Sequence, residues 1–214
     1  MTIEAGHAPN RAYFDQSGNL HLNGANMYQG TNDAQVTLPL PSQTLGSDGI
    51  YADSPLHLLD FVATTGAPLA ASAASGAFGF SITLGTSMSL IGETSNNSSK
   101  TDSAIIEYIL PPTYVAGSNF TVTVNAAIST GGSPTYATKT VQILCYPATD
   151  AGVQSSDIGP GSASAITVAG ADVAFTITGT GLVAGDRLVF ELQGILHDTG
   201  GVACNILINS VRVS

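Results

Sequence analysis

Residues 187–213 read RLVFELQGILHDTGGVACNILINSVRV. Leu188, Phe190, Leu192 and Leu196 alternate with Val189, Glu191, Gln193 and Ile195, the period-two pattern of a strand with one buried face. His197-Asp198-Thr199-Gly200-Gly201 interrupts the run, and Cys204, Ile206 and Ile208 resume the alternation. Two long strands about a short polar turn predict a β-hairpin. The gathered His197 and Asp198 read better as the corner that closes a β-sandwich than as a site.

Upstream, the same period recurs. Strands are expected over 56–63, 77–84, 104–110, 119–128 and 137–146, and residues 165–168 with 172–178 form a strand pair or one bulged strand. In 77–84 the inward face is Phe78, Phe80, Ile82 and Leu84; in 119–128 it is Phe120, Val122, Val124, Ala126 and Ile128. The polar stretch 94–102, TSNNSSKTD, reads as an exposed loop, and 147–158 is the one place for a short helix. About eight strands with polar turns between them fit an all-β, antiparallel sandwich of jelly-roll type over residues 56–214.

Composition agrees. Charged residues make up 9% of the 214, against roughly 25% in ordinary soluble domains. Lys+Arg 5 against Asp+Glu 15 leaves a net charge of −10, which argues against nucleic acid or an anionic membrane as partner. The charged helix formers Glu, Lys and Arg are scarce, while Thr, Ser, Gly, Val and Ile abound. The N-terminus, MTIEAGHAPNR, has neither the basic nor the apolar region of a signal peptide, and no stretch has the length and apolarity of a membrane-spanning helix. The expectation is synthesis in a cytosol. Cys145 and Cys204 read as buried free thiols.

Residues 1–55 differ from the rest. A small hairpin is expected about Ser17-Gly18-Asn19, but Pro39 and Pro41 restrict 36–41 to an extended or edge segment. Apolar residues are too few for an independent core. The segment therefore reads as an extended N-terminal arm. Its Tyr13, Phe14, Leu20, Leu22, Met27, Tyr28, Val36, Leu38 and Leu40 are the candidate partner contacts.

Catalytic signatures are weak. Gly179-Thr180-Gly181-Leu182-Val183-Ala184 matches a dinucleotide fingerprint, yet a strand follows where a helix is needed, so it reads as a glycine turn. His7, His21, His57 and His197 are scattered and give no metal spacing. A calcium ion on Asp198 or Asp186 is conceivable from loop chemistry alone. Glu107 and Glu191 read as single solvated positions rather than the facing acids of a glycosidase. Tyr108, Tyr114, Tyr136 and Tyr146 are not spaced as a sugar platform, and Trp is absent. No enzyme activity and no cofactor are expected.

Two segments carry a resemblance. Tyr108-Ile109-Leu110-Pro111-Pro112-Thr113-Tyr114 with Gly117, and Ala184-Gly185-Asp186-Arg187-Leu188 before the closing strands, resemble the jelly-roll structural proteins of tailed bacteriophages, including capsid decoration (cement) proteins and tail components. The resemblance implies a virion structural protein on the capsid surface. Its partners would be the major capsid protein and itself, as a homotrimer, with the arm clamping the shell. It carries over no catalytic residue. The alternative is a carbohydrate- or receptor-binding sandwich of a phage tail or fibre, with loops 94–102 and 129–136 forming the site.

Overall fold

The computed structural model describes residues 11–14, 20–23, 45–83, 87–148 and 155–214. Residues 1–42 form one compact unit and 43–214 another. In the smaller unit, β1 (Arg11–Phe14) pairs antiparallel with β2 (Leu20–Asn23), Phe14 opposite Leu20, as the hairpin pattern predicts.

The larger unit is an antiparallel β-sandwich of jelly-roll type. One sheet runs β10 (Ala171–Ile177), β7 (Phe120–Thr130), β12 (Cys204–Val213), β5 (Ser87–Ile91), β4 (Gly79–Thr83), and β3 (Ser54–Leu56) also pairs with β12. The other runs β6 (Ser99–Ile109), β11 (Arg187–Asp198), β8 (Tyr136–Ala148), β9 (Ser164–Ala165).

The core lies between them. Leu188, Phe190, Leu192 and Leu196 of β11 are buried, as are Phe120, Val122, Val124, Phe175, Ile206, Ile208, Val211 and Val213 from the facing sheet. Phe190 stands edge-on to Phe120 at 6.4 Å between ring centres, and Phe120 edge-on to Tyr114 at 6.2 Å, so one aromatic chain crosses the interface. Each large apolar side chain buried here contributes roughly 1.5–3 kcal/mol. Cys145 and Cys204 are free and buried, and burial pushes the Cys145 thiol up to about 12, so both act as small apolar groups.

Several expectations are corrected. The strands of the 187–213 stretch do not pair as a hairpin. β11 lies between β6 and β8, and β12 between β7 and β5, in the opposite sheet. The turn is a corner between sheets, and Asp198 is what allows it. Its Oδ1 accepts the N–H groups of Thr135 and Gly200, both at 3.1 Å, and Oδ2 accepts that of Val202 at 2.9 Å.

The sandwich also begins before residue 56. Ile50 is fully buried, and the turn carrying it docks on residues 113–115. There Thr113 Oγ1 donates to the Gly49 carbonyl at 2.6 Å and the Val115 N–H to that of Asp48 at 2.7 Å. Gly49 has φ +79°, and a Cβ there would lie 1.8 Å from the Thr113 oxygen, so only glycine fits.

The expected strand over 56–63 ends at Leu56. A 3-10 turn, Leu58–Asp60, follows it, and Val62 then pairs with Ile105. The stretch 94–102 is an exposed loop only in part: Thr94, Asn96 and Asn97 are exposed, but Ser95 and Asp102 are buried, and 99–102 begin β6. No helix occupies the described part of 147–158. Pro147 and Ala148 continue β8, and the N–H of Ile158 donates to the Cys145 carbonyl at 2.8 Å. β9 and β10 are neither paired nor continuous, because β9 joins β8 and β10 joins β7. Ile82 is 55% exposed rather than inward, since β4 is the last strand of its sheet. The glycine turn at 179–184 is as expected, with Gly181 at φ +83° and β11 following. Among the described residues no helix is long and apolar enough to cross a membrane.

Candidate functional site

The outer face of the larger sheet is where chemistry-bearing side chains converge. Register across the strands sorts them into three rows. In the middle row Leu207 faces Ile91 on one side and Ala127 on the other, all half-exposed. Beside it, Asn205 donates through Nδ2 to the Gly92 carbonyl at 2.9 Å and to Thr94 Oγ1 at 3.0 Å.

The third row is a hydrogen-bonded ladder across four strands. Ser89 Oγ donates to Asn209 Oδ1 at 2.9 Å, Asn209 Nδ2 to Asn125 Oδ1 at 3.0 Å, and Asn125 Nδ2 to Asp172 Oδ1 at 2.7 Å. Arg212 closes the ladder on Asp172 Oδ2 and also pairs with Asp53 at 2.9 Å. Asn125 and then Arg212 hold the Asp172 carboxyl below its ordinary range. At strand spacing the ladder spans about 14 Å.

A bulge places Asn209 in this row. The register of β12 on β7 shifts between Ile208 and Ser210, so Ile208 and Val211 both reach the core while Asn209 stays exposed. Each amide uses part of its capacity along the ladder and keeps a donor and an acceptor site toward solvent.

At the β4–β5 side the face deepens into a groove of about 610 Å³, lined by Ser72, Phe80, Ile82, Ile91, Glu93 and Asn205. That volume falls in the range of small-ligand sites. Glu93 is held in the wall. One carboxylate oxygen accepts the Gly76 N–H at 3.3 Å and the other faces Lys100 Nζ at 3.5 Å. Behind the wall sits Asp102, 2% exposed. Its Oδ2 accepts the Glu93 N–H at 3.0 Å, while Oδ1 has no partner among the described residues. Burial foremost, with help from the Glu93 charge, raises this carboxyl to about 6.

The residues singled out from sequence fall elsewhere. Of the arm contacts, Tyr13, Phe14, Leu20 and Leu22 lie in β1 and β2; Met27, Tyr28, Val36, Leu38 and Leu40 lie outside the described residues. Of the two proposed site loops, 94–102 brings Thr94 to the face and Lys100 to the Glu93 wall, and the other brings Ser129, the cross-strand partner of Asn205, while its Thr135 serves the Asp198 corner. Tyr108 packs on Phe190, Tyr114 bonds the Ser118 carbonyl, and Tyr136 lies under Lys139, so none of the three forms a platform on this face. Both oxygens of Asp198 accept backbone N–H groups, and Asp186 accepts the Val183 N–H at 2.8 Å. Glu107 is paired with Arg187 and Glu191 with Gln193. Among the described residues, no three His, Cys, Asp or Glu side chains gather into a metal-holding group. The ladder was missed because Ser89, Asn125, Asp172 and Asn209 meet only through pairing of strands distant in sequence, one of them bulged.

No protein-family model matches the sequence, and no curated protein matches it. Among solved structures the chain is similar to carbohydrate-binding modules of the β-sandwich superfamily with promiscuous specificity, at 13% identity over 95% of this chain and 71% of that one, TM-score 0.45. It is also similar to the CBM22-1 xylan-binding domain of Paenibacillus barcinonensis Xyn10C, at 10% identity over 64% and 78%, TM-score 0.36. A CBM4 structure is similar at 13% identity over 64% and 87%, TM-score 0.34.

Proposed function

We propose that this chain is a non-catalytic carbohydrate-binding module whose ligand lies on the outer face of the larger sheet. The observation that carries this is the arrangement of rows: a half-exposed apolar strip, Ile91, Leu207 and Ala127, between hydrogen-bonding rows led by Asn205 and by the Asn209–Asn125–Asp172 ladder. A sugar ring has apolar C–H faces and a rim of hydroxyls that donate and accept. Such a strip packs the faces, and amide side chains match the rim because each offers both a donor and an acceptor. In the phage setting that the 108–122 and 182–190 segments resemble, the ligand is a cell-surface glycan.

The test is calorimetric titration with a panel of neutral glucose, xylose, mannose and N-acetylglucosamine oligomers, using the wild type, Asn209→Ala and Leu207→Ala. Binding of at least one neutral oligomer, weakened tenfold or more in both variants, is expected. Absence of binding across the panel, or affinity unchanged in the variants, overturns the reading.

A second reading, a capsid decoration protein acting as a trimer on the major capsid protein, is supported by one feature. Leu45, Tyr51, Val115 and Val183 are 40–49% exposed on loops tied together by the Leu45–Tyr51 bridge and the Val115–Asp48 and Gly117–Leu182 backbone bonds. Under it, light scattering gives a trimer mass and the chain co-sediments with capsids, whereas a chain deleted for residues 1–42 does not. A monomer that ignores capsids excludes it.

A further inference from the structure

We infer that Asp102 is a proton-operated latch on the Gly92–Glu93 wall of the groove, so that acidity controls how firmly the groove holds its ligand. The final clause rests on the carbohydrate-binding reading; the latch itself does not.

The geometry is unusual for an acidic side chain. Asp102 points inward from β6 with the apolar Ala104 and Ile106, where its strand partner on β11 is Gly194. Gly92 lies against it: a Cβ there would come within 2.7 Å of Oδ2, so residue 92 has no room for a side chain on that side. The carboxylate therefore sits directly behind the wall, and its contact with the wall is the Glu93 N–H. Gly92 is fastened separately, its N–H donating to the Ile206 carbonyl at 2.9 Å. The pivot of the wall is thus fixed by β12, and the Glu93 end is fixed by Asp102.

Asp102 Oδ1 is buried without a partner among the described residues, a costly arrangement for a carboxyl group. The charged groups acting on Asp102 are the Glu93 side chain and Lys100 on its own strand; Phe78, Gly92 and Gly194 beside it carry no charge. Ionised Asp102 makes a charge-assisted bond to the Glu93 N–H, roughly twice as strong as a neutral one. Its charge also repels the Glu93 carboxylate, which is turned to the Gly76 N–H and Lys100. Protonation weakens the bond to the Glu93 N–H, which loosens the backbone of the wall there, and it relieves the repulsion, so the Glu93 carboxylate is free to shift toward Asp102.

The decisive experiment is an amide NMR titration of the intact chain between about pH 4.5 and 8. In the wild type the Glu93 and Gly92 amide signals move with a midpoint near the acidic value raised by burial. Asp102→Asn abolishes that transition, and Glu93→Gln retains it. Flat Glu93 and Gly92 signals in the wild type, or a transition that survives in Asp102→Asn, overturn the latch. The wild-type titration decides this even where the variant fails to fold. Affinity for the best neutral oligomer of the panel then changes at least threefold across the same transition in the wild type and stays flat in Asp102→Asn. A pH-independent wild-type affinity overturns ligand control. Absence of any sugar binding sinks the carbohydrate-binding reading while leaving the amide result to decide the latch.

Discussion

The backbone N–H of Asp198 donates to the hydroxyl of Ser95 at 2.8 Å, tying the corner between the sheets to the segment that links β5 to β6. Ser95 also exchanges backbone bonds with Cys204, N–H to carbonyl at 2.8 Å and the reverse at 3.0 Å. One fully buried serine thus grips the chain on both sides of the corner. Ser95→Ala leaves the Asp198 N–H without its partner and is expected to cost about 1–3 kcal/mol in chemical denaturation. Asp198→Ala removes the acceptor of three backbone N–H groups at once and should lower the melting temperature further than Ser95→Ala. Equal or smaller loss in Asp198→Ala would show that the corner does not depend on the carboxylate.

Stability should pass through a maximum on the acid side of neutrality. Asp102 has a folded pKa of about 6 against 3.8, so the folded state binds its proton first. Stability from this group therefore rises as pH falls through 6 toward 3.8, by on the order of 3 kcal/mol in total. The opposite sign holds for Asp198, Asp172 and Glu107, whose folded pKa values are lowered. For Asp198 burial alone would raise the value, but the N–H groups of Gly200, Val202 and Thr135 outweigh it. Their contribution is present above the ordinary carboxylate range and is lost as pH falls through the depressed values. Urea midpoints measured from pH 8 down to 2 should first rise and then collapse. In Asp102→Asn the rise should vanish while the collapse remains.

Core packing gives a direct check of the two-sheet arrangement. Phe190 is 1% exposed and touches rings from both sheets, so Phe190→Ala is expected to cost about 3–5 kcal/mol. Gly194 is the one gap in the inward row of β11, and it is occupied by Phe78. A Cβ at Gly194 would meet Phe78 Cζ at 2.8 Å and Ile206 Cδ1 at 3.1 Å. Gly194→Ala should therefore destabilise by about 1–3 kcal/mol through overpacking. A stabilising Gly194→Ala, as helix or strand propensity alone would favour, would contradict this packing.

The ladder predicts a separation of binding from stability. Asn209 is exposed, but its Oδ1 accepts the hydroxyl of the buried Ser89, so Asn209→Ala is expected to cost about 1 kcal/mol. Asn209→Ala should lower the melting point only modestly and stay folded, yet bind sugar at least tenfold more weakly. Asn125→Ala should behave likewise, with Asp172 keeping Arg212 as its partner.

The sandwich was legible in residues 187–213 because alternation reports burial directly: every second side chain of β11, from Leu188 to Asp198, is buried. Alternation does not report which sheet a strand joins, so two strands about a short turn read as a hairpin when they are the two sides of a corner. The clue was Asp198, a carboxylate at an inward position of the period, where only a turn full of N–H donors can hold it. The same blindness applied to Asp102, placed in a polar run that looked like a loop but whose phase with Ala104 and Ile106 points it inward. The outer-face ladder was beyond the sequence for a different reason. Its four members come from β5, β7, β10 and β12, and the bulge at Asn209 breaks the period that would have aligned them.

The measurement that tests the central claim most directly is a chemical-shift map of the ¹⁵N-labelled chain titrated with the neutral oligosaccharide panel. Perturbations should cluster at Ile91, Glu93, Asn205, Leu207, Asn209 and the side-chain amides of Asn125 and Asn209, leaving β6, β8 and β11 unmoved. No perturbation with any oligomer, or shifts centred on the smaller sheet, would contradict it.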